Sequence, residues 1–461
     1  MLSAKEKATD IIRTLRDHGH QAYLVGGCVR DLLLKREPAD YDVATDATPD
    51  EVMRIFPRTW AVGAQFGVVL VPVEDRSSED EKQVLRAQNT GAQNDSVSQV
   101  VEVATFRSDG LYTDGRHPDQ VTYTRDPKED VRRRDFTING LLLDPLSNEV
   151  LDYVGGRADL SAGIIRTIGQ PERRFAEDKL RMLRAVRFAA RFGYQIDPAT
   201  FDAIRALRSE IHQVSRERVR DELVKMLTEG HARRAFELLD QSGLLKEVLP
   251  EVDRMHGVEQ PPQFHPEGDV WVHTLLLLEG LPEKASPTLA MGALLHDVGK
   301  PPTFRVAPDR IRFDGHVEVG VKMAEEICRR LRFSKHHTEQ IARLVANHMR
   351  FADVKEMKPA TLKRFFRLPR FDEHLEMHRL DCLASHRDLS LYNFAREKLA
   401  EMPPEQIRPR PLLSGDDLIA MGYTPGPRFK QILAAVEDAQ LEGRLSNNEQ
   451  AREFVRRDFP S

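Results

Sequence analysis

The sequence predicts a multidomain protein with an α/β head, a mixed sheet with helices, followed by an all-α body, a second helical domain and a helical tail. Three observations carry that expectation. Short β-branched runs punctuated by glycine lie within residues 1–145, while from Phe175 onward apolar residues recur at helical spacing. The chain has 461 residues, and at roughly 150 residues per domain that length implies about three domains.

Charge and composition narrow the function classes. Lys and Arg number 68 against 73 Asp and Glu, a net charge of −5, which excludes a protein that binds nucleic acid by bulk charge. Any such site must be a local patch, and residues 157–240 hold 17 Lys/Arg against 13 Asp/Glu. No run approaches the ~18 apolar residues of a membrane span. Met1 to Glu6 enter a charged helix without the apolar core of a signal peptide. Cys28, Cys328 and Cys382 are odd in number and far apart, which argues against a disulfide framework. The expectation is a cytoplasmic protein with no membrane partner; its oligomeric state is left open.

The elements follow in order. Ala4 to His18 places Ile11, Ile12 and Leu15 on one helical face, and Gly19 ends it. Gln21 to Val25 reads as a strand entering Gly26-Gly27, with a helix over Val29 to Leu34. Thr48-Pro49-Asp50-Glu51 is a helix start with a capping box. Val68 to Val73 and Val100 to Phe106 read as strands, and the acidic, Ser/Gln/Asn-rich stretch 74–99 between them as a mobile hairpin insertion. Phe175 to Phe192 reads as one helix, closed by Gly193. Prolines at 261, 262 and 266 mark a boundary, and the proline-rich stretch 403–411 splits the tail. The expected domains are 1–145, 146–260, 261–352 and 353–461.

Four motifs carry chemistry in the first half. Gly26-Gly27-Cys28-Val29-Arg30-Asp31 sits where a strand turns into a helix, so backbone N–H groups can approach a phosphate and Arg30 can fork onto its oxygens. Asp40-Tyr41-Asp42 would present two carboxylates on one face of a strand, a pattern that holds Mg2+. Glu102 interrupts an apolar strand and is a candidate third carboxylate. Arg132-Arg133-Arg134-Asp135-Phe136-Thr137-Ile138-Asn139 offers cations and polar groups suited to a triphosphate and a ribose. In Glu177-Asp178-Lys179-Leu180-Arg181, Asp178 and Arg181 would share a helical face at i, i+3. A carboxylate there accepts from a base amine and a guanidinium donates to a ring acceptor, a pair that accepts cytosine and adenine and rejects uracil and guanine.

Together these motifs resemble the bacterial class II tRNA nucleotidyltransferases and their poly(A) polymerase relatives, of the polymerase β-like superfamily, over roughly residues 1–250. The resemblance implies addition of CCA to tRNA 3′ ends from CTP and ATP without a nucleic-acid template; A-adding and poly(A) polymerase activities are the alternatives. It assigns Asp40 and Asp42 to catalytic Mg2+, and Gly27 and Arg30 to the triphosphate. Arg134, Asp135 and Asn139 would shape the nucleotide pocket, with further contacts from Arg184 and Arg187. Residues 107–118 look like the family's flexible loop for the C-to-A switch. Gly140 stands where the family usually has alanine, a change expected to be conservative.

The second half holds His273 and the dyad His296-Asp297, followed by Lys300. Imidazoles with a carboxylate form a site with open positions, better suited to Mn2+, Ni2+, Co2+ or Fe2+ than to Mg2+ alone. This resembles an HD phosphohydrolase domain, with Asp381 a candidate fourth ligand, His316 and His348 candidates for a second ion, and Lys300 a phosphate contact. An HD hydrolase with an RNA-binding head is the remaining alternative.

Overall fold

The computed structural model describes residues 3–60, 67–72, 100–110, 121–263, 265–308 and 310–460. The expected insertion 74–99 and residues 111–118 of the expected loop lie outside these. The chain forms two compact units, Met1–Glu222 with Arg234–Val248, and Leu223–Arg233 with Leu249–Ser461.

In the first unit, helix α1 (Ala4–Asp17) starts at a Ser3/Glu6 capping box and buries Ala8, Ile11, Ile12 and Leu15. Strand β1 (Ala22–Val25) leads into helix α2 (Gly27–Leu33), and β2 (Asp42–Thr45) into α3 (Pro49–Ile55), which Thr48 and Glu51 cap as expected. Strands β3 (Val68–Pro72) and β4 (Val100–Thr105) follow, then a small ribbon of β5 (Arg107–Asp109) and β6 (Val121–Tyr123). The expected flexible loop thus begins as a strand. A hairpin of β7 (Leu141–Asp144) and β8 (Glu149–Asp152), absent from the sequence reading, completes a six-stranded sheet ordered β3-β4-β2-β1-β7-β8. Strands β2 and β4 pair parallel and the other neighbours antiparallel, so the sheet is mixed. Val25, Ala44, Phe106, Val131 and Leu142 form a buried cluster in this unit.

Two expectations need correction. Asp40 precedes β2 instead of lying in it. The helix expected over Phe175 to Phe192 is two helices, Pro171–Glu177 and Leu180–Phe192. Asp178 between them is extended, with φ −148°, and its Oδ1 accepts from the Leu180 backbone N–H at 3.0 Å. A short carboxylate that bonds a nearby N–H competes with the helix, and here it wins.

In the second unit, helices Val270–Glu279 and Pro287–Leu295 are apolar nearly all round and deeply buried. Helices His316–Arg330, Lys335–Asn347 and Phe371–Ala384 pack with them. A two-stranded ribbon pairs Arg305–Val306 with Ile311–Arg312. The tail has its own core, built on Leu418, Ile432, Val436, Ala451 and Val455. All three cysteines are free thiols and buried.

Candidate active sites

The register of β2 and β4 builds the head site. Asp42 pairs directly with Glu102 across the parallel ladder, so the two carboxylates leave the sheet side by side. Asp40 stands just before them. Asp42 is pushed up to about 7 by burial, by Glu102 and by Asp40, with Arg134 opposing. Glu102 is raised by partial desolvation and by Asp40, although its side chain reaches solvent. Carboxylates that raise one another in this way are a donor set that a divalent cation fits.

Beside them, Gly26 takes φ +76° and ψ −130°, a conformation that glycine reaches freely, and a Cβ there would stand 3.3 Å from Arg134 Nη1. Gly27 opens α2 with ordinary dihedral room; its Cβ would meet Arg30 Nη2 at 3.6 Å. Arg30 is buried, donating through Nε to Asp31 at 2.8 Å and through Nη1 to Asn139 Oδ1 at 2.6 Å, with Phe192 beneath it at 4.6 Å. Arg134 is oriented by Asp130, whose Oδ2 accepts from its Nη2 at 2.9 Å, while Asp130 Oδ1 accepts from Arg133 Nε at 2.8 Å. Asp130 is a residue the sequence reading missed, although its i+3 and i+4 spacing to the two arginines on a short helix was the available signal.

Burial alone would raise the Asp135 carboxyl, but Arg184 and the Asn139 amide hold it well below the usual range. Its Oδ2 accepts from Arg184 Nη2 at 2.7 Å and its Oδ1 from Asn139 Nδ2 at 3.0 Å. Arg187 lies deeper and donates to buried Glu222 at 2.7 Å.

Asp178 and Arg181 do not share a helix, and their bonded partners differ. Arg218 Nη2 donates to Asp178 Oδ2 at 2.7 Å and its Nη1 to Oδ1 at 3.2 Å. Arg181 Nη1 donates to Glu177 at 2.7 Å, and its Nη2 to the Arg133 carbonyl at 3.1 Å. Arg218, forty residues away, had no local signal. At Gly140 a Cβ would lie 2.8 Å from Val154 Cγ2 and 3.0 Å from Ile168 Cδ1, so a methyl there would press on both side chains.

The second unit gathers the other set. His273, His296 and Asp381 bring ligand atoms within 4.8 Å of one another, as do Asp297, His316 and His348. His273 Nε2 lies 3.2 Å from Asp381 Oδ1 and 3.3 Å from His296 Nε2. Asp297 faces both groups, its Oδ2 3.2 Å from His296 Nε2 and its Oδ1 3.8 Å from His348 Nε2 and 4.0 Å from His316 Nε2. The Nδ1 atoms of His296, His316 and His348 pair with the carbonyls of Ala293, Phe313 and Val345 at 2.7–2.9 Å. Those bonds fix the tautomer and turn each Nε2 lone pair inward. Among the described residues, Asp297 Oδ1, His316 Nε2 and His348 Nε2 are buried with no hydrogen-bond partner. Orphaned inward-facing lone pairs of this kind fit a transition metal.

Burial would lower His273, but Asp381 and Glu267 raise it to about 9, while burial outweighs Asp297 at His348 and takes it to about 4. Burial would raise Asp297, yet Lys300 and His296 hold it well below the usual range. Glu267, missed from sequence, accepts from His273 Nδ1 at 2.7 Å and from His265 Nδ1 at 2.8 Å. Lys300 Nζ bonds Asp297 Oδ2 and Gln260 Oε1, each at 2.6 Å.

Known proteins resemble the chain in each of these regions. Residues 22–166 match the model of the poly A polymerase head domain. The head is similar to that domain over these residues. Residues 193–255 match a probable RNA and SrmB-binding site of polymerase A, and residues 268–384 an HD domain. The chain is 41% identical over 242 residues to a CCA-adding enzyme of Bacillus subtilis, covering 52% of this chain and 55% of that protein. A CCA-adding enzyme of Lactobacillus johnsonii is 36% identical over 284 residues, 61% of this chain and 65% of that one. The chain thus spans little more than half the length of the curated relatives it matches. Among solved structures, the Bacillus stearothermophilus CCA-adding enzyme in complex with CTP has a TM-score of 0.71 at 26% identity, covering 99% of this chain and 98% of that one. The Thermotoga maritima enzyme complexed with tRNA, at 19% identity and a TM-score of 0.56, shares the fold over 97% of this chain and 93% of its own.

Proposed function

We propose that this chain is a CCA-adding tRNA nucleotidyltransferase of the cytoplasm, taking CTP and ATP and releasing pyrophosphate without a nucleic-acid template. The observation that carries the reading is the alignment of Asp42 with Glu102 on parallel neighbouring strands, beside the Gly26 turn and Arg134. The relatives, CCA-adding enzymes by name, support it. Asp40, Asp42 and Glu102 would hold Mg2+, which when bound polarises the attacking 3′-hydroxyl and the α-phosphate. The open backbone at Gly26 and Gly27 admits the triphosphate, and Arg134, steadied by Asp130, offers it a cation. Arg30 and Asn139 brace each other under this pocket, and Arg184 braces Asp135.

Base choice falls to Asp178 and Arg181. An ionised carboxylate has about four lone-pair sites, so Asp178 can accept a base amine while Arg218 holds it. Arg181, tethered through both terminal nitrogens, loses little freedom on donating to a ring acceptor.

The HD cluster is read as a phosphohydrolase site for RNA 3′-end phosphates such as a 2′,3′-cyclic phosphate. His273, His296, Asp297 and Asp381 would hold a transition metal such as Mn2+, Ni2+, Co2+ or Fe2+, with His316 and His348 facing a second position across Asp297. The test of the main reading incubates the purified chain with tRNAs ending at the discriminator, at C and at CC, each with single nucleotides. Stepwise addition of C, C and A supports it. Addition of A alone, or of an A tract, establishes the A-adding or poly(A) polymerase alternative, and no addition favours the hydrolase with an RNA-binding head.

A further inference from the structure

We propose that Phe304 and Phe313 form an aromatic platform beside the HD cluster that stacks the terminal nucleobase of an RNA 3′ end, making the site selective for nucleoside cyclic phosphates over phosphate esters in general. This rests on the hydrolase reading above. An isolated exposed ring needs no explanation, but these two are adjacent and tied to the cluster at both ends of their ribbon. The Phe304 and Phe313 ring centroids lie 6.0 Å apart, and Phe304 is 39% exposed. Lys300, which bonds Asp297, opens the short helix Lys300–Thr303 that delivers Phe304, and its Nζ stands 5.4 Å from the Phe313 centroid. At the other end, the Phe313 carbonyl accepts from His316 Nδ1 at 2.9 Å, and the two rings are 6.5 Å apart.

Charge complements the rings. Arg305 and Arg312 face one another across the ribbon, and the Arg305–Asp314 pair is exposed on both sides, a setting in which an ion pair holds a guanidinium weakly. An apolar, solvent-facing ring followed in the chain by the exposed Arg305 matches a nucleobase joined to a phosphodiester. The platform begins one ring away from His316, within reach of a nucleoside whose phosphate lies at the cluster. Hydrolysis adds one water across one P–O bond of the cyclic ester, giving a ring-opened monoester and one proton, with no redox partner.

The experiment uses the full chain loaded with Mn2+ or Ni2+ and two substrates, adenosine 2′,3′-cyclic phosphate and the base-free glycerol 1,2-cyclic phosphate. The ratio of their kcat/KM values should favour the nucleoside and fall about tenfold or more in Phe304→Ala, mainly through KM, with recovery in Phe304→Trp. A ratio unchanged by Phe304→Ala overturns the platform while leaving the hydrolase reading standing. A metal-loaded wild type that hydrolyses neither ester removes both.

Discussion

Asp135 shows how a side chain of the proposed nucleotide site serves the fold as well. Its carboxylate is buried and accepts from Arg184, Asn139 and the Phe136 backbone N–H. Asp135→Asn leaves Arg184 short of its counter-ion and should cost about 3 kcal/mol at pH 7. Because the folded state holds this carboxyl below its ordinary value of 3.8, its contribution is present above that pH and lost as the pH falls through the lower folded value. Urea unfolding should therefore show the gap between wild type and variant closing below about pH 4. Asp178 makes a second case. If Asp178 accepts the base amine as proposed, truncating it to Ala would leave that amine unpaired and lift the penalty on a carbonyl, a difference of ~1–3 kcal/mol, so discrimination against UTP and GTP should fall about ten- to a hundredfold. Arg218→Ala should fall in the same direction by releasing Asp178, and incorporation assays with all four nucleotides measure both. Discrimination that survives both changes would leave Asp178 a structural anchor.

Among the elements, the strand-to-helix turn separates two glycines that look equivalent in sequence. Gly26→Ala forces a side chain into a positive φ and against Arg134, a strain of ~1–3 kcal/mol, whereas Gly27→Ala meets only ordinary contact and should cost under about 1 kcal/mol. Thermal unfolding of the two variants decides it. The sequence made the strands β1, β3 and β4 and the helices α1 and α3 readable because β-branched runs and capping boxes are local signals. The break at Asp178 was not readable, since Leu180, Leu183 and Val186 keep helical spacing straight through it, and one side chain bonding a backbone N–H leaves no periodic trace. The HD cluster was readable as types of ligand. The roles of Glu267 and Arg218 were not, because each acts by orienting another polar side chain, which hydrophobic patterning does not report; Asp130 left only its i+3 and i+4 spacing to two arginines as a signal.

For the whole molecule, the division into two compact units places one candidate metal site in each. Metal that binds only the folded state stabilises by RT ln(1 + [L]/Kd), about 2.7 kcal/mol at a hundredfold excess over Kd. Calorimetry should show Ni2+ or Mn2+ raising one transition, assigned to Leu249–Ser461, with Asp297→Asn removing that shift and nucleotide addition persisting. A rise in both transitions together, or none, would mean that the cluster does not act as an independent site.

The pairing of Pro72 with Val100 brings the two ends of residues 73–99 side by side at one edge of the sheet. Glu102, two residues inside that junction, is gripped on both flanks, by Leu70 of β3 and by Asp42 of β2. Its register is therefore set by these two ladders and not by the number of residues that join β3 to β4. For evolution this would be a permissive port, where a change of segment length leaves the proposed metal-binding carboxylate in place. For the engineer it is the place to graft an affinity peptide or a fluorophore.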